Sequence, residues 1–520
     1  MLIKSEQDEI QSFMSDASNL AGGHAAGVVF PESALEVAAV LGEASRERRP
    51  VTIAGAGTGL VGGRVPFGGI VVSTDRLRRI VEIAHEETGG GRATVEAGVR
   101  LSEFQREVEA QGLFYPPDPT ERSCYLGATV ATNSSGARSF KYGATRRYVR
   151  RLKIALSTGD VLDLSRGQLR ADAEGLLRIP LAEGRGCIEA RLPSYRMPQT
   201  RKHAAGYYVE PSVDAIDLFI GSEGTLGVVA EIEVALLDKP AGVLGGIVFF
   251  QSEEKLLAFV SAARRRSLET RAAKLRASAA GERAPDAEMN PAGLDARALE
   301  YFDAESLNFL REYYALVPVR ASGAIFFEQE ITDETEDELM SGWLALLEEH
   351  EAMLDDSWFG TNEHDRAGMR EFRHRLPVLV NEWLSRHHQR KVSTDMAVPD
   401  EHFPSMLRFY KETLRASRLQ YVIFGHVGDN HVHVNIMPRD EAESVAAREL
   451  YQQFIRRAIS FGGTISAEHG VGKLKRDYLR QLYGDRHLRE MAALKRAFDP
   501  ACILGRGNIF AEDFLVNRES

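Results

Sequence analysis

A strand-like run, Val51-Thr52-Ile53-Ala54, breaks into Gly55-Ala56-Gly57-Thr58-Gly59-Leu60-Val61-Gly62-Gly63, and the residues just after it exclude the fold this loop first suggests. Gly57, Gly59 and Gly62 spell a literal GxGxxG. A dinucleotide fold needs a helix directly after those glycines, whose N-terminus holds the pyrophosphate. Here Gly63, Pro66, Gly68 and Gly69 come at once, and no helix survives that density of glycine and proline. Successive bare backbone N–H groups can still cradle phosphates. Two more small-residue segments lie in the same half of the chain. One is Tyr115-Pro116-Pro117-Asp118-Pro119 with Leu126-Gly127-Ala128-Thr129-Val130-Ala131-Thr132-Asn133-Ser134-Ser135-Gly136; the other is Phe219-Ile220-Gly221-Ser222-Glu223-Gly224-Thr225-Leu226-Gly227. Small residues let a large planar ligand come close to the backbone. Each segment alone reads slightly better as turn chemistry, but the three together imply an extended, nucleotide-like cofactor.

A second constellation stands in the other half: Gly425-His426-Val427-Gly428-Asp429-Asn430-His431-Val432-His433-Val434-Asn435, then Ala467-Glu468-His469-Gly470. Imidazole and carboxylate suit zinc, manganese or iron, and a base beside the ion completes a reactive site. If Asp429-Asn430 is a two-residue hairpin turn, Gly428 faces His431 and His426 faces His433. Opposed Cβ atoms lie about 4.5–5.5 Å apart, so two rings could reach one ion. Along the second strand His431, His433 and Asn435 share a face, and Val432, Val434 and Ile436 take the core side. One histidine would be an ordinary polar residue of a half-exposed hairpin; this cluster favours a site. Adjacent side chains in extended chain point apart, so one of Glu468 and His469 can ligate while the other meets a substrate.

At 520 residues two domains are expected. A formal charge of −11 argues against a nucleic-acid binder. The basic runs Arg146 to Lys153 and Arg264 to Arg266 are then solvated faces or anion contacts. Cys124, Cys187 and Cys502 are far apart and form neither a disulfide framework nor a CxxC signature, which points to a reducing, cytoplasmic compartment. The segment Met1 to Leu20 is too acidic and polar for a signal peptide, and the apolar run Ala241 to Phe250 is too short to span a bilayer. Peripheral association with a membrane stays open.

The pattern predicts a helix over Pro31 to Glu47 with Leu35, Val37, Ala38 and Leu41 buried, and another over Leu101 to Gln111. Strands are expected at Val51–Ala54, Ile70–Ser73, Arg92–Glu96, Leu152–Ser157 and Val228–Val234. Beyond a boundary near Asp238-Lys239-Pro240, longer helical stretches alternate with strands such as Gly323–Glu328 and Leu419–Gly425. Thr270 to Asp295 lacks an apolar period and reads as an inserted or mobile segment. After Gly472 a helix-like run covers Lys473 to Leu482.

These motifs, in this order, resemble the FAD-linked oxidases of the vanillyl-alcohol oxidase superfamily, nearest to D-lactate dehydrogenase, D-2-hydroxyglutarate dehydrogenase and the FAD subunit of glycolate oxidase. The likeness runs from Gly27 to Phe510 and includes the three glycine segments, Tyr142-Gly143, the histidine hairpin, Glu468-His469-Gly470 and Phe498-Asp499-Pro500. It implies an α+β protein. An FAD-binding domain of two α+β subdomains would occupy 1–240, and an α+β cap domain with an antiparallel sheet 241–520, with about 490–520 returning to the first. It places FAD against Gly55, Ala56, Gly57, Thr58, Gly59, Leu60, Pro117, Asp118, Gly127, Ala128, Thr132, Asn133, Ser135, Gly136, Tyr142, Gly143, Glu223 and Gly224. The pyrophosphate would lie on the first two loops. A divalent metal, zinc before manganese or iron, would be held by His426, His433 and Glu468, with His469 as base; the pattern does not require His431. Arg373, Lys391 and Asn435 would bind substrate, although ordinary surface charge explains Arg373 and Lys391 about as well. The activity implied is oxidation of a D-2-hydroxy acid, D-lactate-like or glycolate-like, with hydride passing to the flavin N5 and the proton to His469.

Some residues depart from that pattern. Pro377 stands where dicarboxylate-specific relatives carry threonine, which removes a hydroxyl for a distal carboxylate and puts 2-hydroxyglutarate in doubt. His203 replaces a frequent asparagine or aspartate, and Gly505-Arg506-Gly507-Asn508 replaces Asn-Pro-Gly-Lys. No histidine lies in the first glycine loop, so FAD should be noncovalent. With no fused iron–sulfur module, electrons should leave to a separate acceptor: a quinone, a cytochrome or an electron-transfer flavoprotein. Two rival readings stand beside this one. A transferase of the alkylglycerone phosphate synthase type shares the scaffold, though the histidine hairpin argues against it. A flavin-free zinc hydrolase leaves the glycine loops unexplained.

Overall fold

The computed structural model describes residues 1–279 and 293–515. The chain divides into two compact units. Unit 1 comprises 1–135, 144–239 and 464–520, and unit 2 comprises 136–143 and 240–463. The C-terminal part of unit 1 thus begins at Thr464 rather than near 490, and the short segment 136–143 folds with unit 2.

Among the described residues unit 1 holds two main sheets and a two-stranded antiparallel ribbon, Leu176–Pro180 with Cys187–Arg191. The smaller main sheet has the order Leu2–Lys4, Gly27–Phe30, Ile70–Ser73, Val51–Ala54; the first pair is antiparallel and the rest parallel. The parallel strands are linked through the helix Ala34–Arg46, whose N-cap Ser33 accepts from the Glu36 N–H at 3.2 Å. Val37, Ala38 and Leu41 are buried as the pattern predicts, but Leu35 is 74% exposed. Leu35 is the second residue of the helix and lies off the 3.6-residue stripe set by Val37, Ala38, Leu41 and Ala44. No helix forms among residues 55–69, so the chain runs from the glycine loop straight to the next strand.

The larger sheet takes the path Ile80–His85, Gly91–Glu96, Val228–Asp238, Val149–Ala155, Val161–Ser165, all antiparallel, with Leu113–Phe114 added against Val228–Asp238. The predicted helix near 101 spans Leu101–Ala110. The second small-residue segment is not all loop, because Leu126–Ala131 forms a short helix. The helix after Gly472 starts at Arg476, later than expected, and runs to Phe498 with a break at Gly484 (φ 75°). The chain then returns to the smaller sheet. The Val51 N–H donates to Ile503 O at 2.8 Å and the Gly505 N–H to Val51 O at 2.9 Å, so the closing segment extends the sheet edge.

Unit 2 is built on a seven-stranded antiparallel sheet, ordered Trp358–Gly360, Gly242–Phe250, Gly323–Ile331, Ala296–Asp303, Gln420–Gly425, His433–Met437, Val392–Ser393. Ala296–Asp303 is buried at every position, as expected for a strand covered on both faces. On one side Phe372, Leu376 and Leu379 of the helix Glu363–Arg386 pack on Phe249, Phe302 and Phe326. On the other Trp343 stacks on Phe327 with ring centroids 4.4 Å apart and donates to Gln329 Oε1 at 3.0 Å. The first part of Thr270 to Asp295, expected as an insertion, belongs to the helix Glu253–Ala279. Residues 280–292 lie outside the described residues. Among the described residues no helix is long and apolar enough to cross a membrane.

The closing segment of unit 1 hangs on one buried ion pair. Lys495 Nζ reaches Asp499 Oδ2 at 2.8 Å, Thr225 O at 2.8 Å and Leu504 O at 2.9 Å, while Asp499 accepts from the Ile503 and Leu504 N–H groups. Removing one partner leaves an uncompensated buried charge, which typically costs about 3–5 kcal/mol. Lys495→Met is therefore expected to lower the urea midpoint of unit 1 by a corresponding amount. A midpoint within error of wild type would show that the pair contributes nothing net.

Candidate active site

In unit 1 the glycine loops line one side of a cleft with about 940 Å³ of empty space, partly open to solvent, at the upper end of the range for small-molecule pockets. Of the expected cofactor residues, Gly55, Ala56, Gly57, Thr58, Gly59, Gly127, Ala128, Thr132, Glu223 and Gly224 form its wall. A Cβ on Gly59 would meet nothing nearer than Asp16 Oδ2 at 4.0 Å, so backbone is presented bare to the cleft. Gly127 is glycine for a different reason. A Cβ there would lie 2.6 Å from Ala97 Cβ, and the glycine lets the short helix sit against the strand that ends at Glu96.

Other expected contacts are placed elsewhere. Leu60 is 41% exposed, and the Pro117 carbonyl accepts from Gln105 Nε2 at 3.1 Å. Asp118 pairs with Arg122 at 2.8 Å, and Asn133, at φ 48°, accepts the Arg146 N–H at 3.0 Å. Ser135 Oγ donates to Glu468 Oε2 at 3.1 Å. Gly136, Tyr142 and Gly143 belong to unit 2, where Arg271 stacks on the neighbouring Phe140 ring.

The wall also holds Asp16, Arg64 and Asn508, none of which the sequence motifs mark as cofactor contacts. Asp16 Oδ2 and Arg64 Nε are buried without a hydrogen-bond partner. Burial lowers the Arg64 pKa. An acceptor for a hydroxyl and a donor for a phosphate, both unsatisfied on one wall, fit the sugar and pyrophosphate of a dinucleotide. Asn508 Nδ2 donates to Gly63 O at 3.0 Å and its Oδ1 accepts from Lys473 at 2.8 Å. The only sequence signal for Arg64 is its place directly after Gly62-Gly63; Asn508 stands out only as a departure from the family pattern.

His469 lies on the wall of the same cleft. Its Nε2 is 3.6 Å from Glu468 Oε1, while Glu468 Oε2 accepts from Lys202 Nζ at 3.1 Å. His203, beside Lys202, is half-buried between Thr464 Oγ1 at 2.8 Å and the Tyr483 hydroxyl at 3.3 Å.

In unit 2 the histidine hairpin differs from the tight turn expected. The strands Gln420–Gly425 and His433–Met437 pair with Phe424 opposite His433, so His426 is not. A 3₁₀ turn, Val427–Asp429, and left-handed Asn430 (φ 54°) fill a wider loop. Buried polar contacts hold that loop: Asp429 Oδ2 accepts from Ser139 Oγ at 2.6 Å and Arg264 Nε donates to Gly428 O at 3.0 Å. The wider loop still gathers all three imidazoles. Ring centroids of His426, His431 and His433 are 4.6–5.5 Å apart, and one nitrogen from each can be chosen so that all lie within 4.8 Å of one another. His431, which the sequence pattern does not require, is fully buried with Nε2 3.2 Å from Asp395 Oδ1.

The surroundings of the cluster engage one nitrogen on each of two rings. His426 Nδ1 is 2.6 Å from Glu300 Oε1, and His433 Nδ1 is 3.1 Å from Thr394 O. Each ring is thus steadied through Nδ1, as metal-binding imidazoles commonly are through one of their nitrogens. Burial pushes the Glu300 carboxyl up, but His426 and the Arg373 guanidinium beside it outweigh that and hold it well below the usual range. Arg373 Nε bonds Glu300 Oε2 at 2.9 Å. Asn435, on the sheet beside His433, has a buried Nδ2 with no hydrogen-bond partner, and burial lowers the pKa of the half-buried Lys391.

Comparison with known proteins fits these two halves. Residues 25–165 match the family model "FAD binding domain", and residues 278–509 match "FAD linked oxidases, C-terminal domain". The chain belongs to the FAD-linked oxidases of the vanillyl-alcohol oxidase superfamily. Among its relatives are a glycolate oxidase subunit GlcD of Bacillus subtilis, 29% identical over 94% of this chain and 89% of the relative, and a D-lactate dehydrogenase of Anaerostipes hadrus, 27% identical over 91% and 87%. The fold is similar to a solved alkyldihydroxyacetonephosphate synthase, with a TM-score of 0.64 at 15% identity, covering 97% of this chain and 82% of that one.

This geometry makes two outcomes testable. Gly59→Val should fold normally yet lose flavin, because its side chain enters space that nothing else occupies; visible flavin absorbance per protein beside an unchanged melting curve would show it. Flavin content equal to wild type would place the cofactor elsewhere. The second concerns pH. Burial drives the His203 imidazole down to about 4 from the ordinary 6.5. A histidine neutral when folded contributes stability that is whole above its unfolded value and is lost as pH falls through the folded value. Urea midpoints of His203→Asn should therefore decline less than wild type between about pH 6.5 and 4; parallel declines would exclude His203 as the sensor.

Proposed function

We propose that this chain is a flavin-dependent dehydrogenase that oxidises a D-2-hydroxy acid, of the D-lactate or glycolate kind, to the 2-oxo acid. The observation that carries the reading is the place of His469, a base beside the Glu468 carboxylate on the wall of the glycine-lined cleft. A transferase or a hydrolase would leave one of these features idle. Relatives named for glycolate and D-lactate oxidation support the substrate class.

FAD supplies the hydride acceptor, and a divalent cation, zinc in the first place, supplies Lewis acidity toward the substrate hydroxyl. His426, His433 and Glu468 would hold the cation, and His431 adds a third imidazole to the donor set. The chain's own work is positional and protolytic. Lys202 and Ser135 hold Glu468 Oε2 and so fix the orientation of the carboxylate. His469 Nε2 takes the hydroxyl proton as the Cα hydride departs, and the resulting imidazolium is steadied by the carboxylate next to it. Lys391 and the orphan Nδ2 of Asn435 suit a carboxylate: the ammonium regains the counter-charge that burial denies it, and the amide gains its missing acceptor. Arg373 is engaged by Glu300 and would add positive charge for the substrate carboxylate from that position.

The helix Glu363–Arg386 carries Pro377 in its interior. A proline there offers neither hydroxyl nor N–H, so a second carboxylate would find no donor at this position and a monocarboxylate is favoured. Electrons would leave the flavin to a separate acceptor.

General-base assistance is typically worth about 10²–10⁴-fold. His469→Ala should lower the rate of anaerobic flavin reduction by D-lactate or glycolate by that factor while keeping its yellow colour. A chelator should have a comparable effect on wild type. If no 2-hydroxy acid bleaches the flavin of metal-loaded protein, the substrate class is wrong; if His469→Ala bleaches at the wild-type rate, the base is another group.

A further inference from the structure

We propose that Glu300 is the positioning residue of the cation site, a buried carboxylate that makes His426 a stronger ligand and ties it to Arg373. This inference rests on the proposed function, in which His426 and His433 hold a divalent cation.

Glu300 sits in the middle of Ala296–Asp303, a strand buried along its whole length among Ala298, Leu299, Tyr301 and Phe302. Such a place favours an apolar residue, because a lone carboxylate there loses its hydration. Its two oxygens are used separately. One lies 2.6 Å from His426 Nδ1, and the other accepts from Arg373 Nε at 2.9 Å. An imidazole that donates from Nδ1 presents the lone pair of Nε2 on the opposite edge of the ring. A carboxylate acceptor also raises the basicity of that lone pair, which a neutral carbonyl does less well. The two imidazoles are unequal in this respect, since Nδ1 of His433 meets the Thr394 carbonyl, at 3.1 Å, where that of His426 meets a carboxylate.

A plain alternative exists. Glu300 could be the counter-ion of Arg373 and nothing more, with His426 close by for packing reasons. The alternatives differ in what charge removal does to the ion. Glu300→Gln keeps the volume and an acceptor oxygen but loses the charge. If Glu300 served Arg373 alone, this variant would be less stable and would bind metal as before. If it serves His426, metal affinity falls, and loss of such a partner typically weakens affinity about 10–100-fold.

The test uses flavin-loaded protein freed of metal, titrated with zinc alone against a chromogenic chelator, so that no turnover enters the readout. Wild type should take up zinc, His426→Ala should lose that binding, and Glu300→Gln should show a Kd raised about 10–100-fold. Glu300→Asp keeps the charge but draws it back by one methylene, and should fall between the two; it serves the same purpose if Glu300→Gln does not fold. Zinc affinity of both Glu300 variants equal to wild type overturns the inference and leaves the cation site standing. Absence of zinc binding by wild type overturns the cation site itself, and the inference with it.

Discussion

The Glu223 carboxylate is the contact on which the arrangement of unit 1 depends. It accepts the Val471 and Gly472 N–H groups, each at 2.7 Å, one on each oxygen. Its own N–H donates to Ala131 O at 2.8 Å. One residue therefore links the third glycine segment, the end of the second, and the turn that comes directly after Glu468-His469. The link is costly, because Glu223 is held at φ 54° and burial pushes its carboxyl pKa up. The crowding shows why the turn is glycine on both sides. A Cβ on Gly470 would sit 2.9 Å from Glu223 Oε1, and one on Gly472 would sit 2.2 Å from Val61 O. The first loop, the third segment and the turn after His469 thus interlock, with Lys473 bonded to Gly62 O, Gly63 O and Asn508. The family resemblance makes Glu223 a cofactor contact. It lines the cleft, but both of its oxygens are engaged by the Val471 and Gly472 N–H groups.

Unit 2 meets the same difficulty, burial of polar groups, by a different route. It places the polar residues on and beside central strands instead of glycine loops. Glu300, His426, His431, Asp395 and Asn435 are all buried, yet nearly every charged group has a partner of opposite sign. The sheet is covered by helices on both faces, so these groups have a dry, rigid setting. In such a setting a fixed dipole or charge is worth far more than in water. The orphan Nδ2 of Asn435 stands out against that rule of satisfaction.

Some of this is legible in the sequence, and the rest is hidden for identifiable reasons. Strands such as Val51–Ala54 and Ile70–Ser73 can be read to the residue, because short apolar runs bounded by glycine or proline have only one local solution. The absence of a helix after the first glycine loop is legible for the same reason. Leu35 misleads because a hydrophobic residue at the second helical position needs no core contact; propensity places it, not burial. The hairpin misleads because Asp429-Asn430 satisfies the rule for a tight turn. The ties from Ser139 and Arg264 that stabilise the wider loop come from sequence positions over a hundred residues away, beyond any local rule. Glu300, Arg64 and Asp16 escape a reading of the sequence for that reason also. None stands in a motif, and each acquires its meaning from what the topology brings beside it.

That contrast separates two kinds of functional residue. Gly59 and His469 are constrained by their own chemistry, one by having no side chain and the other by carrying an imidazole next to a carboxylate in the chain, so the sequence betrays them. Glu300 and Glu223 are constrained by their neighbours, since any carboxylate would serve if the fold delivered it to the same two donors. Residues of this second kind nevertheless decide whether the first kind works. An imidazole whose Nδ1 is left to choose its own partner populates both tautomers, and one of the two turns the wrong nitrogen toward an ion. Glu300 removes that ambiguity for His426 and the Thr394 carbonyl removes it for His433, from segments far apart in the chain. In the proposed cation site the imidazoles would therefore be oriented before any ligand arrives, so less of the binding energy need be spent on ordering them.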